Sequence, residues 1–496
     1  MLKLLNAAQT KLADQYTMEN EPIPSLELME RASSAFVKTF AERFTDKRIS
    51  ITVFCGKGNN GGDGLAIARL LYQDRYEFID VVIIDFSEKS TPEFDANLIA
   101  LQQTEISIFY LTNPELLDIK QSAVVIDAIF GIGLSRPLDK SYQTLIDKLN
   151  LLPGKKVSVD IPSGMPSEGK LYETPVFKAD WVITFQRPKI NFLLPLSAAY
   201  IREWKVVNIG LNENFIESTA SPYYWIWRKD ILDSIRKRKS FDHKGTYGHN
   251  LIIAGDVNTM GAALLTAESS MKSGAGLTTV CIPQSGLTAL NSRLPEVMYL
   301  DRSDFNYTDF TKYKGICIGP GLGKGKDAKS LLTHLISEYK KPVVFDADAL
   351  NILAEDETLL AQISPDSILT PHVKEFDRLF GEHYNCWDRI ETAFHQAKKL
   401  KLYIVLKNRY TMIFTPDGRC FFNSTGSPAM ATGGMGDVLT GLISSFIAQD
   451  YTVEKAIIIS VFVHGYIGEH LGQKMYVVPP TKLIKQIPYV IKELKT

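Results

Sequence analysis

The sequence predicts an α/β protein of two successive modules, and three observations carry that expectation. Short runs rich in β-branched residues alternate with helix-length amphipathic segments, as parallel strands joined by crossover helices do. The alternation comes in two series, residues 51–185 and 250–407, separated by polar and aromatic text, NENFIESTASPYYWIWRKD. At 496 residues the chain is also about three times the length of an average domain, which excludes a single small fold.

The first module opens on a helical region in which Met29, Ala32, Phe36, Phe40 and Phe44 recur at helical spacing. Five strand-like runs follow: ITVFC at 51–55, DVVIIDF at 80–86, SAVVIDAIF at 122–130, KVSVDIP at 156–162 and ADWVITF at 179–185. Helix-length text between them makes this a Rossmann-like doubly wound sheet. Its domain is assigned to residues 1–215, with a junction at 216–235. The basic run RKRKS that follows lacks interleaved stacking groups, so it reads as a solvated face and is given no function.

The second module, residues 236–496, repeats the pattern with NLIIAG at 250–255, LTTVCI at 277–282, GICIG at 315–319, PVVFDAD at 342–348 and YIVLK at 403–407. The stretch TMIFTPDGRCFFN reads as a hairpin turning at Asp417-Gly418. No short-period repeat is visible, which excludes a solenoid.

Composition narrows the function. Hydrophobic residues make up 45% and charged residues 22%, ordinary values for a chain that buries large cores. Lys plus Arg number 55 against 56 Asp plus Glu, so no global charge draws the protein to nucleic acid or to an anionic membrane. Cys55, Cys281, Cys317, Cys386 and Cys420 form no close pair, which argues against a disulfide framework or a zinc site and for a reducing compartment. The N-terminus breaks its apolar stretch with Lys3, Asn6 and Lys11, no run is long enough to span a bilayer, and the expected location is the cytoplasm.

In the first module, strand ITVFC runs into Gly56-Lys57-Gly58-Asn59-Asn60-Gly61-Gly62-Asp63-Gly64 and then into helical LAIARLL. Such glycines allow close backbone approach to a ligand, and the N–H groups of a helix start suit an anion. Gly56, Gly58 and Gly61 also satisfy G-x-G-x-x-G, so a dinucleotide-dependent dehydrogenase is a rival; Asn59, Asn60 and Asp63 argue against it. SAVVIDAIF delivers Asp127 and the loop Gly131 to Pro137, while KVSVDIPSG delivers Asp160 and Ser163. In open α/β sheets such strand ends converge on one crevice. Asn60, Asp127 and Ser163 offer hard oxygen ligands for an alkali or alkaline-earth ion, which leaves Asp160 as an acid–base candidate; capping or turn-making remains open for each aspartate.

In the second module, Thr432-Gly433-Gly434-Met435-Gly436-Asp437 precedes helical VLTGLISSFIAQ. Free N–H groups at such a helix start favour an oxyanion or a phosphoryl group in transfer. Asp437 is either an N-cap or the base that accepts a proton from an attacking hydroxyl. No G-x-x-x-x-G-K-[ST] motif is present, and the loop Gly319-Pro320-Gly321-Leu322-Gly323 is placed to close over a ligand. His372, on a loop after a strand, is either a structural imidazole or a site residue.

GKGNNGGDG, VVIDAIFGIGLSRP and VDIPSG resemble the N-terminal epimerase domain of the NAD(P)H-hydrate repair enzymes. AGDVNTMGAA, GPGLG, FDADALN, TPHVKEF, VLKNRYT and SPAMATGGMGDVLTG resemble their C-terminal, ribokinase-like dehydratase. The resemblance covers nearly the whole chain. For the first module it implies that Asn59, Asn60, Gly61, Gly62, Asp63, Gly131, Ile132, Gly133, Leu134, Ser135, Arg136, Pro137 and Asp160 bind hydrated NAD(P)H, with potassium at Asn60, Asp127 and Ser163. For the second it implies substrate contacts at Ala262, Gly321, Gly323, His372 and Asp437. Nucleotide contacts would come from Lys407, Asn408, Arg409, Tyr410, Thr411, Gly433, Gly434 and Gly436. Lys374 and Asn408 depart from the family pattern, each standing where relatives have glycine.

The implied chemistry is interconversion of the R and S forms at C6 of the hydrated ring by the first module, with Asp160 as acid–base group. The second module would dehydrate the S form through phosphorylation of the C6 hydroxyl by ADP or ATP, with Asp437 as base. Magnesium would accompany the nucleotide, and Asp348 and Glu375 are candidate ligands. The resemblance also implies a homo-oligomer. A ribokinase-like small-molecule kinase with a regulatory N-terminal module is the alternative.

Overall fold

The computed structural model describes residues 1–117 and 122–495. Its contacts divide the chain into two compact units, Lys3–Ser221 and Met1–Leu2 with Pro222–Thr496, so the division falls inside the polar and aromatic segment. That segment is itself folded, with a helix at Glu213–Ser218 and a strand at Tyr223–Ile226.

The N-terminal unit holds seven strands: β1 Ser50–Cys55, β2 Phe78–Ile84, β3 Ser107–Leu111, β4 Val124–Ala128, β5 Lys155–Val159, β6 Trp181–Phe185 and β7 Trp204–Val207. They pair in the order β3-β2-β1-β4-β5-β6-β7, all parallel. The direction of winding reverses between β1 and β4, which opens a crevice at their carboxyl ends. Alternate strand residues feed two cores: Val53, Val81 and Ile126 pack on one face, Phe54, Val82 and Val125 on the other. Met29, Ala32, Phe36 and Phe40 form the buried stripe of helix Ser25–Arg43, as their spacing predicts. A further helix, Ala7–Asn20, precedes it, closed by a capping box between Asn6 and Gln9.

The C-terminal unit holds β8 Tyr223–Ile226, β9 His249–Ile253, β10 Leu277–Ile282, β11 Met298–Asp301, β12 Gly315–Ile318, β13 Val344–Phe345, β14 Ile368–Leu369, β15 Tyr403–Leu406, β16 Met412–Phe414 and β17 Cys420–Asn423. From β11 the order runs β10-β9-β12-β13-β14-β15 in parallel, with a winding reversal between β9 and β12. β15, β16 and β17 are antiparallel neighbours, and Gly418 at φ +88° makes the expected turn of the β16–β17 hairpin. Helix Met435–Ala448 is buried throughout Val438–Ala448. Gly441 lets it cross helix Met260–Lys272 closely: a Cβ there would lie 2.3 Å from the Thr266 carbonyl oxygen.

Two local differences from the sequence expectation both shape the sites. The helix after β1 starts at Asn59, so NNGGD forms its first turns rather than a loop. Gly61 makes this possible, because a Cβ on it would stand 1.6 Å from the Gly56 carbonyl oxygen. The run PVVFDAD yields only two strand residues, Val344 and Phe345. Asp346 turns into the site, Ala347 takes φ +49°, and Asp348 starts the next helix.

Two candidate active sites

The crevice of the N-terminal unit is a cavity of about 920 Å³ at the winding reversal. Asn59, Asn60, Asp63, Gly131, Ile132, Gly133, Leu134, Arg136, Pro137 and Asp160 all line it. Gly61, Gly62 and Ser135 do not: the two glycines pack against Gly56 and Met29, and Ser135 is exposed. Helix Asn59–Gln73 has Gly58 as N-cap with no side-chain cap, which leaves its first N–H groups for a ligand.

Asp160 sits at the end of β5 with φ +62°, a conformation that costs a non-glycine residue energy and that the surrounding bonds enforce. Its Oδ1 accepts from the Thr184 hydroxyl at 3.0 Å and the Phe185 N–H at 2.9 Å, and pairs with the buried Lys189 ammonium at 2.6 Å. Lys189 and Asp14, which also line the cavity, carry no motif that sequence reasoning could have seized; Asp14 lies on a helix with almost no amphipathic signal.

Asp127 is wholly buried at the end of β4. It accepts from the Ser163 hydroxyl at 2.6 Å, the Ser163 N–H at 2.8 Å, the Ser158 hydroxyl at 3.1 Å and the Ile129 N–H at 3.2 Å. Burial lifts its pKa to about 6, with the Ser163 donors pulling the other way. Among the described residues no cation pairs with it, and the buried Asn60 Nδ2 has no hydrogen-bond partner. Asn60 also lies against Gly131, where a Cβ would meet its Oδ1 at 3.1 Å. A buried carboxylate without a counter-charge, with the Ser163 hydroxyl oxygen on it, is an oxygen set that a singly charged cation suits.

The second site lies at the carboxyl ends of β9, β12, β13 and β15. Gly434 at φ +89° turns the chain into helix Met435–Ala448, and a Cβ there would meet Leu265 Cδ1 at 2.7 Å, so only glycine fits. Asp437 follows in the first turn, and among the described residues its carboxylate makes no hydrogen bond, so it does not serve as a cap. Burial first, then repulsion from Asp346, raise its pKa to about 6; Lys407 opposes them. Asp346, which sequence reasoning passed over inside FDADALN, is buried and accepts from Lys407 Nζ and the Thr440 hydroxyl, each at 2.8 Å. The attraction of Lys407 and these bonds outweigh burial and hold Asp346 below the usual aspartate range. A Cβ on Gly436 would lie 3.4 Å from Lys407 Nζ and 3.5 Å from Asp346 Oδ2, so Lys407 belongs to the GGMGD turn.

The GPGLG loop is pinned on the same site. Thr259 Oγ1 donates to the Gly321 carbonyl at 2.6 Å, and a Cβ on Gly321 would lie 2.9 Å from that of Ala262. The Gly323 N–H donates to Asp348 Oδ2 at 2.9 Å. His372 is the N-cap of helix Val373–Phe380, its Nδ1 accepting from the Lys374 and Glu375 N–H groups. Glu375 completes the capping box by accepting from the His372 N–H at 2.9 Å through Oε2. Lys374 is exposed in that first turn with ordinary helical φ, so no glycine is needed there. Asn408 Oδ1 accepts from the Arg409 N–H at 2.8 Å, Arg409 lies over Tyr410, and Thr411 Oγ1 donates to the Asn408 carbonyl. Gly433 has no atom within 4 Å of a Cβ position and stands open.

Known proteins match both halves. Residues 25–191 fit the family described as YjeF-related protein N-terminus, and residues 250–489 fit NAD(P)H-hydrate dehydratase. The bifunctional NAD(P)H-hydrate repair enzyme Nnr of Dictyoglomus turgidum is 31% identical, over 94% of this chain and 93% of its own. The ADP-dependent (S)-NAD(P)H-hydrate dehydratase of Staphylococcus aureus is 40% identical over 54% of this chain and 98% of its own. The crystal structure of the ADP/ATP-dependent NAD(P)H-hydrate dehydratase of Bacillus subtilis, grown with ATP and Mg2+, is 30% identical with a TM-score of 0.50, covering 55% of this chain and 98% of that one. Two sites, each at the carboxyl ends of parallel strands, in the order and over the length of these relatives, make this chain a member of the bifunctional NAD(P)H-hydrate repair enzyme family.

Proposed function

We propose that this chain repairs hydrated NADH and NADPH, the N-terminal unit interconverting the R and S forms at C6 and the C-terminal unit dehydrating the S form at the expense of ADP or ATP. The observation that carries the reading is the pair of separate sites, each with its own aspartate, on a chain that spans nearly the whole length of two-activity relatives.

In the C-terminal unit Asp437 takes the proton of the C6 hydroxyl as that oxygen attacks the terminal phosphoryl group. The first N–H groups of helix Met435–Ala448 and the Lys407 ammonium stabilise the charge on the transferring oxygens. Phosphate then leaves C6 with the electrons of the C–O bond, a proton leaves C5, and the C5–C6 double bond of NAD(P)H is restored. Gly321, Gly323 and Ala262 wall the hydrated ring, and Lys407 to Thr411 flank the nucleotide. Asp348, whose Oδ1 makes no hydrogen bond among the described residues, would hold magnesium together with the nucleotide phosphates, where the ion supplies charge neutralisation.

In the N-terminal unit the cavity receives the hydrated ring, Asp160 moves a proton at C6, and the backbone at 131–137 with the start of helix Asn59–Gln73 binds the dinucleotide. Asn60, Asp127 and Ser163 would hold potassium, which supplies the positive charge that the Asp127 carboxylate lacks. All five cysteines are free, which supports a reducing cytoplasmic location, and the family resemblance supports a homo-oligomer.

The decisive experiment supplies an R and S mixture of hydrated NADH with ADP and no second substrate. Full return of the reduced-nicotinamide absorbance is expected, whereas ADP consumption without it would point to a kinase. Replacing sodium by potassium should speed R-to-S conversion; equal rates in the two salts, with Asp127→Ala harmless, would remove potassium from the reading.

A further inference from the structure

The cavity of the N-terminal unit gathers three carboxyl groups around a single buried ammonium. Asp14 comes from helix Ala7–Asn20, Asp63 from helix Asn59–Gln73, Asp160 from the end of β5 and Lys189 from the turn before Ile190. Lys189 is committed to Asp160 at 2.6 Å, and among the described residues Asp14 and Asp63 make no ion pair. Lys57 of the cavity wall is paired with Asp85, while Lys11, Lys89, Arg136, Glu93 and Asp139 line the cavity elsewhere. Three like charges brought into one cavity with one cation repel one another, and retaining protons relieves that repulsion.

The retention is uneven. Burial first, then the Asp160 carboxylate, raise the Asp14 pKa to about 7, with Lys189 pulling against them. Burial, then Asp160 and Asp14, push Asp63 well above the ordinary aspartate value. Asp160 is bound by the Lys189 ammonium at 2.6 Å, the Thr184 hydroxyl and the Phe185 N–H. A carboxyl raised to about 7 beside one paired with an ammonium gives one cavity the unlike groups that acid–base chemistry at a single carbon uses.

We propose that Asp14 is the second catalytic residue of the epimerase site, giving the proton that lets the C6 hydroxyl depart while Asp160 takes the proton of the water that returns on the other ring face. The proposal rests on the epimerase reading above. C6 is bonded to the ring nitrogen, so protonation of its hydroxyl by Asp14 breaks the C6–O bond and releases water as the nitrogen lone pair forms a C6–N1 double bond. Water adding from the opposite face makes the new C6–O bond, returns that electron pair to N1 and gives its proton to Asp160. The two groups exchange roles in the reverse direction, and solvent restores the starting protonation states. No oxidant or co-reactant other than water is consumed.

The test uses the full chain and the purified R form without nucleotide, and follows R-to-S conversion by chromatography. Asp14→Asn should slow conversion by about 10²–10⁴-fold while repair of the S form with ADP is unchanged. In the wild type kcat/KM for conversion should fall as pH rises through about 7, where the acid loses its proton. Asp14→Glu should keep that falling limb within about tenfold of wild-type rate, and Asp14→Asn should lack it. Wild-type conversion that does not fall between pH 6 and 8, as ~1 unit either side of the expected midpoint requires, would overturn the role whether or not a variant folds. So would an Asp14→Asn enzyme that converts at the wild-type rate, or one that is slower with the limb intact. Wild-type protein that repairs S but never converts R would instead overturn the epimerase reading itself.

Discussion

In the N-terminal unit the site aspartate is gripped: Asp160 has a buried ammonium at 2.6 Å, two further donors and a backbone forced to φ +62°. In the C-terminal unit Asp437 rides on the first turn of a helix with no hydrogen bond among the described residues, and its repulsion from Asp346 goes only partly offset by Lys407. A gripped carboxylate has its geometry set before substrate arrives. An ungripped one in a buried position is costly as an anion, and that cost makes it a better base. The two units thus set their aspartates in opposite surroundings, both at the carboxyl ends of parallel strands, through what stands next to the aspartate.

The strongest way to break this contrast is to remove each carboxylate in turn. Asp437→Asn should lower NAD(P)H recovery from either form by about 10²–10⁴-fold and leave nucleotide-free R-to-S conversion intact. Asp160→Asn should do the reverse, with R then disappearing only at its spontaneous rate. Loss of S repair in the Asp160 variant would end the claim that the units act separately.

Next in size is the grip itself. Lys189→Met leaves Asp160 buried without its cation, and removing one partner of a buried pair costs about 3–5 kcal/mol. Hydrogen exchange should show that loss in β1 and β4, with S repair unaffected. A similar penalty should fall on catalysis in Gly436→Val, whose side chain would crowd Lys407 and Asp346, where the proposed reading puts the phosphoryl oxygens. Loss of one preorganised donor costs on the order of 10²–10³ in turnover, so near-normal kcat in that variant would contradict the phosphoryl site.

The smallest effect sharpens the comparison. Asp437 must be ionised to act as base, so dehydration should fall about tenfold per pH unit below its pKa of about 6 and level off above it. The stability sign is opposite. A carboxyl with a raised folded pKa contributes fully below its unfolded pKa of 3.8, and the contribution is lost as pH rises through about 6. Asp437→Asn should therefore stabilise the C-terminal unit by about 1–3 kcal/mol at pH 8 and by nothing near pH 3, as read by urea unfolding at the two pH values.

The chain's own order of residues was enough to predict two α/β modules and to point to two glycine-rich turns and to Asp127, Asp160 and Asp437 as candidates. Period-two apolar runs report burial on both faces, and glycines between a strand and a helix report close backbone approach, so both are local signals that survive in one dimension. Long-range pairing left no such mark. Asp14 lies 146 positions before Asp160 and on a helix with almost no amphipathic pattern, so their sharing of one cavity follows from how that helix packs on the sheet. Lys189 looks like any surface lysine until the turn before Ile190 buries it against Asp160. Asp346 reads as the end of a strand, and only the placing of β15 beside β14 and of the buried helix across them brings Lys407 and Thr440 to its oxygens. His372 is the converse case, an imidazole suggestive of chemistry whose Nδ1 the fold commits to two backbone N–H groups. Charge, burial and hydrogen bonding act through space over a few ångströms, and the tertiary structure decided which distant side chains came within that range.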